Sequence, residues 1–238
     1  TVEITSVTGY YKLALDNVGN FTQNYYDSAT LPAQILISRN HLHLREISEE
    51  LRLTTYFDGP VNFMLGGLYQ DTHASNGSTT ARNTLAPVFV NKYLYVQEGT
   101  AYSVFGQVNV DLTDQVQLSG GARASFEKKK LPGLYTATSA SPINMVPITA
   151  AGLTRTVDFN NLSPEVTLSY HPDRNLNIYA SYKEGFLSGG FSALAPTAGV
   201  IAGTQQVNYD QQVTKGWEGG VKASLLDNRL RVNLAVYN

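Results

Sequence analysis

FNNLSPEVTLSYHPDRNLNIYASYKEGFLSGGFSA (159–193) and VTKGWEGGVKASLLDNRLRVNLAVYN (213–238) decide the fold of this chain. Read in alternate residues, they resolve into four short strands. Leu162, Pro164, Val166, Leu168 and Tyr170 alternate with Ser163, Glu165, Thr167, Ser169 and His171. Leu176, Ile178, Ala180 and Tyr182 alternate with Asn177, Tyr179, Ser181 and Lys183. Trp217, Gly219, Val221, Ala223 and Leu225 oppose Glu218, Gly220, Lys222 and Ser224. Leu230, Val232, Leu234 and Val236 oppose Arg231, Asn233, Ala235 and Tyr237. A period of two over about ten residues marks a strand with one apolar and one polar face.

The links between strands alternate in kind. His171–Asn175 and Leu226–Asn228 are short and built from Pro, Asp and Asn, which favour tight turns. The link from Leu187 to Gln212 is long and rich in Gly, Ala and Thr. Short turns at one end and long loops at the other give an up-and-down antiparallel order, the asymmetry of outer-membrane barrels. Working back toward the amino terminus, Val2–Tyr11, Ile47–Tyr56, Val61–Gln70, Ala101–Leu112 and Val116–Glu127 read as further strands. Asp58–Pro60 and Thr113–Gln115 are tight turns, and 12–45, 72–100, 128–158 and 187–212 are expected to be long loops. The expectation is an all-β chain of about nine strands.

Distances along the chain test a membrane reading. Tyr102 lies ten positions before Leu112, and Phe126 ten after Val116. Phe186 lies ten after Leu176, Trp217 eight before Leu225, and Tyr69 eight after Val61. At about 3.3 Å per residue and a tilt near 40°, these spans project to roughly 20–25 Å, the height of an outer-membrane apolar band bordered by aromatics. Glu184 departs from the apolar parity near the rim, where a charge costs less than at mid-bilayer.

LSPEVTLSYHPDRNLNIYASYKEGFLSGGF and VTKGWEGGVKASLLDNRLRVNLAVYN together resemble the carboxy-terminal barrel of TonB-dependent outer-membrane receptors. ISEELRL, DGPVNFMLGGLYQ and AYSVFGQVNVDLTDQVQLSGGARASFEKK resemble internal blocks of the same barrel. The resemblance covers most of the chain, strands and turns better than loops. It implies that residues 1–238 are part of a larger, 22-stranded type of transmembrane β-barrel, without its plug domain or its carboxy-terminal strands. It also implies active uptake of ferric siderophores, or similar large scarce nutrients, across the bacterial outer membrane. In that family external loops bind the ligand and a plug closes the lumen. The TonB complex acts through the amino-terminal region, which is missing here. Two other readings share parts of the pattern, a passive porin-like or structural barrel and a soluble carbohydrate-binding β-sandwich.

Composition narrows the class in other ways. The net charge of −2 argues against nucleic acid as a partner, and the absence of cysteine excludes disulfide or thiolate-metal frameworks. Charged residues make up 15%, low for a soluble domain. The chain opens TVEITSVTGYYK, already patterned as a strand, so an exported precursor is expected to begin earlier. No nucleophile elbow, P-loop, zinc-protease helix or close acid/base pair is present, so neither enzyme activity nor a cofactor is expected.

Candidate functional residues fall into two sets. Glu50, Arg52, Arg123, Glu165, Lys183, Glu218, Lys222 and Arg231 lie on the polar parity and are expected to face the lumen, in contact with water or the plug. Tyr25, Tyr26, Tyr93, Tyr95, Tyr135, Phe191 and Tyr209 lie in the expected loops and are candidate ligand contacts. His41 and His43 are two apart, but no carboxylate sits at convincing spacing for a metal, and a loop or rim role is expected. Lys128, Lys129 and Lys130 sit where a strand leaves the membrane, as a solvated loop base or a contact for lipid phosphates.

Overall fold

The computed structural model describes residues 1–20, 35–83, 88–137, 146–192 and 198–238. In chain order the elements are β1 (Val2–Asn20), β2 (Ile35–Thr55), β3 (Val61–Asn83), β4 (Val88–Asp111), β5 (Val116–Ala137) and β6 (Val146–Pro147). They continue with β7 (Thr156–Asp173), β8 (Leu176–Leu187), β9 (Gly190–Phe191), α1 (Ala198–Ile201), β10 (Asn208–Tyr209), β11 (Gln212–Leu225) and β12 (Leu230–Tyr237). One antiparallel sheet runs β1-β2-β3-β4-β5-β7-β8-β11-β12, so chain neighbours are sheet neighbours throughout. β6 adds to β5, and β9 pairs with β10 in a separate two-stranded piece. The nine long strands are the up-and-down barrel wall expected from the alternation.

The tight turns fall where the sequence places them, and side chains hold three of them. Asn62 Oδ1 accepts from the Phe57 N–H at 2.6 Å, while its Nδ2 donates to the Phe57 carbonyl at 3.1 Å. Thr113 Oγ1 accepts from the amides of Gln115 and Val116. Asp173 Oδ1 accepts from the Asn175 amide at 2.7 Å. The last turn carries positive φ at Leu226, Asp227 and Asn228. Asp and Asn tolerate that region better than most residues, which suits a two-strand reversal.

Register fixes the faces. Opposed residues share a face, and one row runs Phe63–Val108–Gly120–Val166–Tyr182–Trp217. Tyr102, Val104, Val108, Val110, Leu118, Ala122, Ile178, Val221, Val232 and Leu234 all lie on this apolar face. Ser103, Gln107, Asn109, Ser119, Arg123, Ser181, Lys183, Lys222 and Arg231 all lie on the other. The apolar side chains are bare: Val104 is 61% exposed and Leu234 65%. An apolar face this wide is costly in water and has its natural solvent in lipid. Aromatics border it. Tyr69, Tyr102 and Phe126 form one row, with the Tyr102 and Phe126 rings stacked at 5.3 Å, and Tyr182 packs on Trp217 at 5.0 Å.

Glu49 and Glu184 sit on this face near the aromatic border, and each is hydrogen-bonded. Glu49, opposite Tyr69, accepts from Ser6 Oγ at 2.6 Å and Thr8 Oγ1 at 2.5 Å. Glu184 accepts from the Tyr182 hydroxyl.

The expected loops need correction. Residues 12–20, 35–45, 72–83, 88–100 and 128–137 continue the strands instead of leaving them. β4 has 24 residues, where about ten suffice to cross the apolar band. The long strands therefore stand well above the membrane. There both faces are wet and the apolar/polar alternation lapses, as in DTHASNGSTTARN (71–83), although the backbone ladder goes on.

Val108 and Asn109 are adjacent yet point to opposite faces. Replacing Val108 by Arg is expected to cost about 2–4 kcal/mol near mid-bilayer, and Asn109→Arg little. Denaturant titration of the full-length protein refolded into vesicles measures both, and equal tolerance at the two sites would contradict the lipid-facing assignment.

Candidate functional site

The polar face is a ladder of charges, several held over aromatic rings. Arg123 lies 5.3 Å above the Phe105 ring on the next strand, and its Nε donates to Ser125 Oγ. Phe105 in turn lies across β3 at Gly66, where a Cβ would stand 2.5 Å from the ring. Lys222 sits 5.2 Å from the Tyr179 ring, whose hydroxyl donates to Glu218. Lys183 and Glu165 pair at 3.8 Å on β8 and β7, and Arg52 pairs with Glu50 along β2. Arg231 lines a recess at the tight-turn end with His171, Arg174 and Lys222. All eight polar-parity residues thus lie on one face.

At the long-loop end this face is partly covered. The link between β8 and β11 turns back over β4, β5 and β7 as a strap. Lys129 fastens it, its Nζ donating to Ser188 Oγ and the Gly189 carbonyl, each at 2.7 Å. The same ammonium lies 3.5 Å from Glu127 and 5.8 Å from the centre of the Phe159 ring. Tyr95 adds a second tie, its hydroxyl donating to the Phe191 carbonyl at 3.0 Å and contacting Gln97. Burial, reinforced by Tyr209, raises the Tyr95 hydroxyl above the ordinary tyrosine range, so it stays a neutral donor.

Beneath the strap is a small apolar core of Tyr95, Leu131, Leu134, Ile148, Phe191, Val200 and Val207. Arg155 closes it by donating to the carbonyls of Leu131, at 3.1 Å, and Ile148. Gly189 is required by close approach. A Cβ there would stand 2.2 Å from the Tyr209 carbonyl oxygen and 2.6 Å from the Phe159 ring.

The candidate ligand contacts divide accordingly. Tyr95 and Phe191 are 5% and 4% exposed, so they hold the strap and are not presented to solvent. Tyr93 and Tyr135 are half-buried, and Tyr209 is exposed. Tyr25 and Tyr26 lie outside the described residues. The lysine run is not a loop base. It lies within β5, and the pleat sends Lys129 to the polar face and Lys128 and Lys130 to the other. Counting parity from Phe126 would have separated them. His41 and His43 likewise lie on β2, and the register sets Asp16 opposite His41, where the two side chains bond. Among the described residues no group of three metal-ligating side chains forms.

Residues 3–238 match the family model described as TonB dependent receptor-like, beta-barrel. Among solved structures the chain is similar to the ferric yersiniabactin uptake receptor FyuA from Yersinia pestis, at 14% identity and a TM-score of 0.76. That match covers 99% of this chain and 33% of FyuA. The siderophore receptor PiuA from Acinetobacter baumannii matches at 16% identity and a TM-score of 0.68, over 99% of this chain and 37% of PiuA. The copper transporter OprC matches at 14% identity and a TM-score of 0.60, over 99% and 35%. The chain thus spans about a third of the length of these structures, and at such identities the likeness is one of fold.

Two substitutions are expected to free the strap in the full-length protein. Gly189→Ala forces a backbone clash worth about 1–3 kcal/mol, and Lys129→Met removes two hydrogen bonds from a cation, each worth about 1.5–3 kcal/mol. Chymotrypsin added to intact cells should then cut at Phe191 or Tyr209 faster than in the parent. Unchanged cutting in both variants would show that these contacts do not hold the strap.

Proposed function

The chain belongs to the TonB-dependent receptor β-barrel family, and on that premise we propose that it is wall and outer mouth of an active transporter for a large, scarce, metal-bearing nutrient. The family consists of transporters of the bacterial outer membrane, not enzymes. The observation that carries the proposal is the pairing of a charged, ring-backed polar face with a strap folded over its outer end. A passive pore needs an unobstructed lumen. A receptor needs a mouth that narrows around a ligand and a wall that something else can dock against.

In this reading a plug domain outside these residues seats against Glu50, Arg52, Arg123, Glu165, Lys183, Glu218, Lys222 and Arg231. Further strands close the sheet between its two edges, β1 and β12. Force from the TonB complex displaces the plug, so no nucleotide or catalytic site is needed in the wall. Ferric siderophores are the favoured ligands, because FyuA and PiuA are receptors for such molecules. A copper complex is the alternative, in view of OprC. Tyr93, Tyr135 and Tyr209 are the contacts retained from the sequence, with Tyr209 the most accessible.

Uptake by cells lacking the full-length protein, then restored with it, tests the proposal. Radiolabelled ferric siderophores, ferric citrate and copper complexes serve as probes. Uptake of one class is expected, with complete loss on adding a protonophore. Uptake that survives the protonophore would make the protein a passive barrel. Tyr209→Ala should weaken binding of the transported probe roughly tenfold, the scale of losing one buried aromatic contact.

A further inference from the structure

On the polar face a recess of about 250 Å³ opens across β3, β4 and β5, beside the strap. Two rows build it, Gln70–Ala101–Glu127 and, two residues nearer the long-loop end, Thr72–Gly99–Lys129. The floor is made of small residues. Where Gly99 sits, a Cβ would stand 2.6 Å from Thr72 Oγ1 and narrow the space. The next row, Leu44–Ala74–Gln97, closes the outer end, with Leu44 and Ala74 giving it an apolar corner. Glu46 continues the Thr72 row on β2 but does not line the recess.

The charges inside it are already matched. Lys129 lies 3.5 Å from Glu127, and its other contacts go to Ser188 and Gly189 of the strap. Both side chains are mostly covered, at 19% and 23% exposed. An anion entering here meets no free cation, and a cation has to take Glu127 from Lys129. Amides, by contrast, are available. Gln97 Oε1 accepts from the Tyr95 hydroxyl, which leaves its amide N–H groups without a partner among the described residues. The Gln70 side chain has no partner among them at either end of its amide. Such an amide both donates and accepts.

From this arrangement we infer that the recess binds one uncharged arm of the ligand, an arm that carries amide or hydroxyl groups on a short apolar stem. At roughly 30 Å³ for each water-sized group, the space holds about eight such groups. The stem lies against Leu44 and Ala74. Gln97 serves the arm at the outer end and Gln70 at the inner, about 13 Å apart along the strands. A carboxylate arm loses its water here without gaining a free cation, and that loss disfavours it. The inference deepens the receptor reading, and rests on it for calling the occupant a transported ligand.

The test places a thiol in the recess, in the full-length Ala101→Cys protein held in detergent micelles. Residues 1–238 contain no cysteine to compete, and any elsewhere in the full-length protein is replaced by serine. Small disulfides of equal length, ending in an acetamide, a carboxylate or an ammonium group, exchange with the thiol under excess 2-mercaptoethanol. Intact mass spectrometry reads the labelled fraction, and the same protein unfolded in guanidinium corrects for intrinsic reactivity. The acetamide is expected to label at roughly tenfold lower concentration than either charged group. Adding Glu127→Gln leaves the Lys129 charge uncompensated and should move the preference to the carboxylate. Equal labelling by all the groups, or a preference for a charged one before Glu127 is changed, would overturn the inference. So would a ranking that Glu127→Gln does not move. Thr72→Cys faces the same recess and supplies the ranking if Ala101→Cys does not fold. Uptake plays no part in this assay. A barrel whose uptake survives the protonophore can still show the ranking, so the receptor reading and the recess fail separately.

Discussion

A backbone amide in hydrocarbon has no water to fall back on, and each one left unpaired costs several kcal/mol. That constraint shapes the whole chain. It demands an unbroken ladder across the membrane, and the long strands supply it, with register irregularities among the described residues at Thr80/Ala81, Val96/Glu98 and Tyr170/Asp173. Thr80/Ala81 and Val96/Glu98 lie above the aromatic row, and Tyr170/Asp173 lies at a tight turn. Within the band itself the register advances one for one. Once it does, the pleat assigns every side chain to lipid or lumen, and the chemistry of each face follows from its solvent.

Where those two solvents differ, the sequence is easy to read. In 61–70, 101–127, 162–187 and 213–234 the apolar parity is fixed by lipid and the polar parity by water, so alternation alone sorts the side chains. Above the membrane both faces meet water and the selection disappears. DTHASNGSTTARN has nothing in its pattern to say strand, and it pairs because its neighbours hold it in register. The strap was illegible for another reason. Its ties run between residues 59, 60 and 96 positions apart, and no local signal announces a contact from Lys129 to Gly189 or from Tyr95 to Phe191. Tyr95 and Phe191 were recognisable as aromatics in a connecting region, but their burial was not.

The lysine run shows how much a single parity step decides. Lys128 and Lys130 point to the face that carries the aromatic row, while Lys129, between them, points to the polar face and holds the strap. Three identical residues therefore meet different dielectric surroundings and different partners. Lys128 pairs with Asp158 at 3.5 Å, while no carboxylate lies within ion-pair distance of Lys130 among the described residues. Lys129 is only 19% exposed and is surrounded by Glu127, two strap oxygens and the Phe159 ring, so its charge is spent inside the protein.

The lumen wall follows a related logic. Arg123 and Lys222 each rest on a ring from the adjacent strand, and no carboxylate lies within ion-pair distance of either among the described residues. A ring attracts a cation by its quadrupole and packs against its methylene stem, yet it leaves the charge unneutralised. The Lys183–Glu165 pair, at 3.8 Å with both side chains well exposed, is the kind worth only a few tenths of a kcal/mol to about 1 kcal/mol. A wall meant to be permanently self-sufficient would pair its charges tightly and exclude water. Arg123 and Lys222 are ordered without being neutralised, which suits a surface that another polar body must both grip and release. Strong internal pairs would resist release, and mobile, unsupported side chains would lose entropy on every engagement. Rings beneath the cations reduce the second cost without incurring the first.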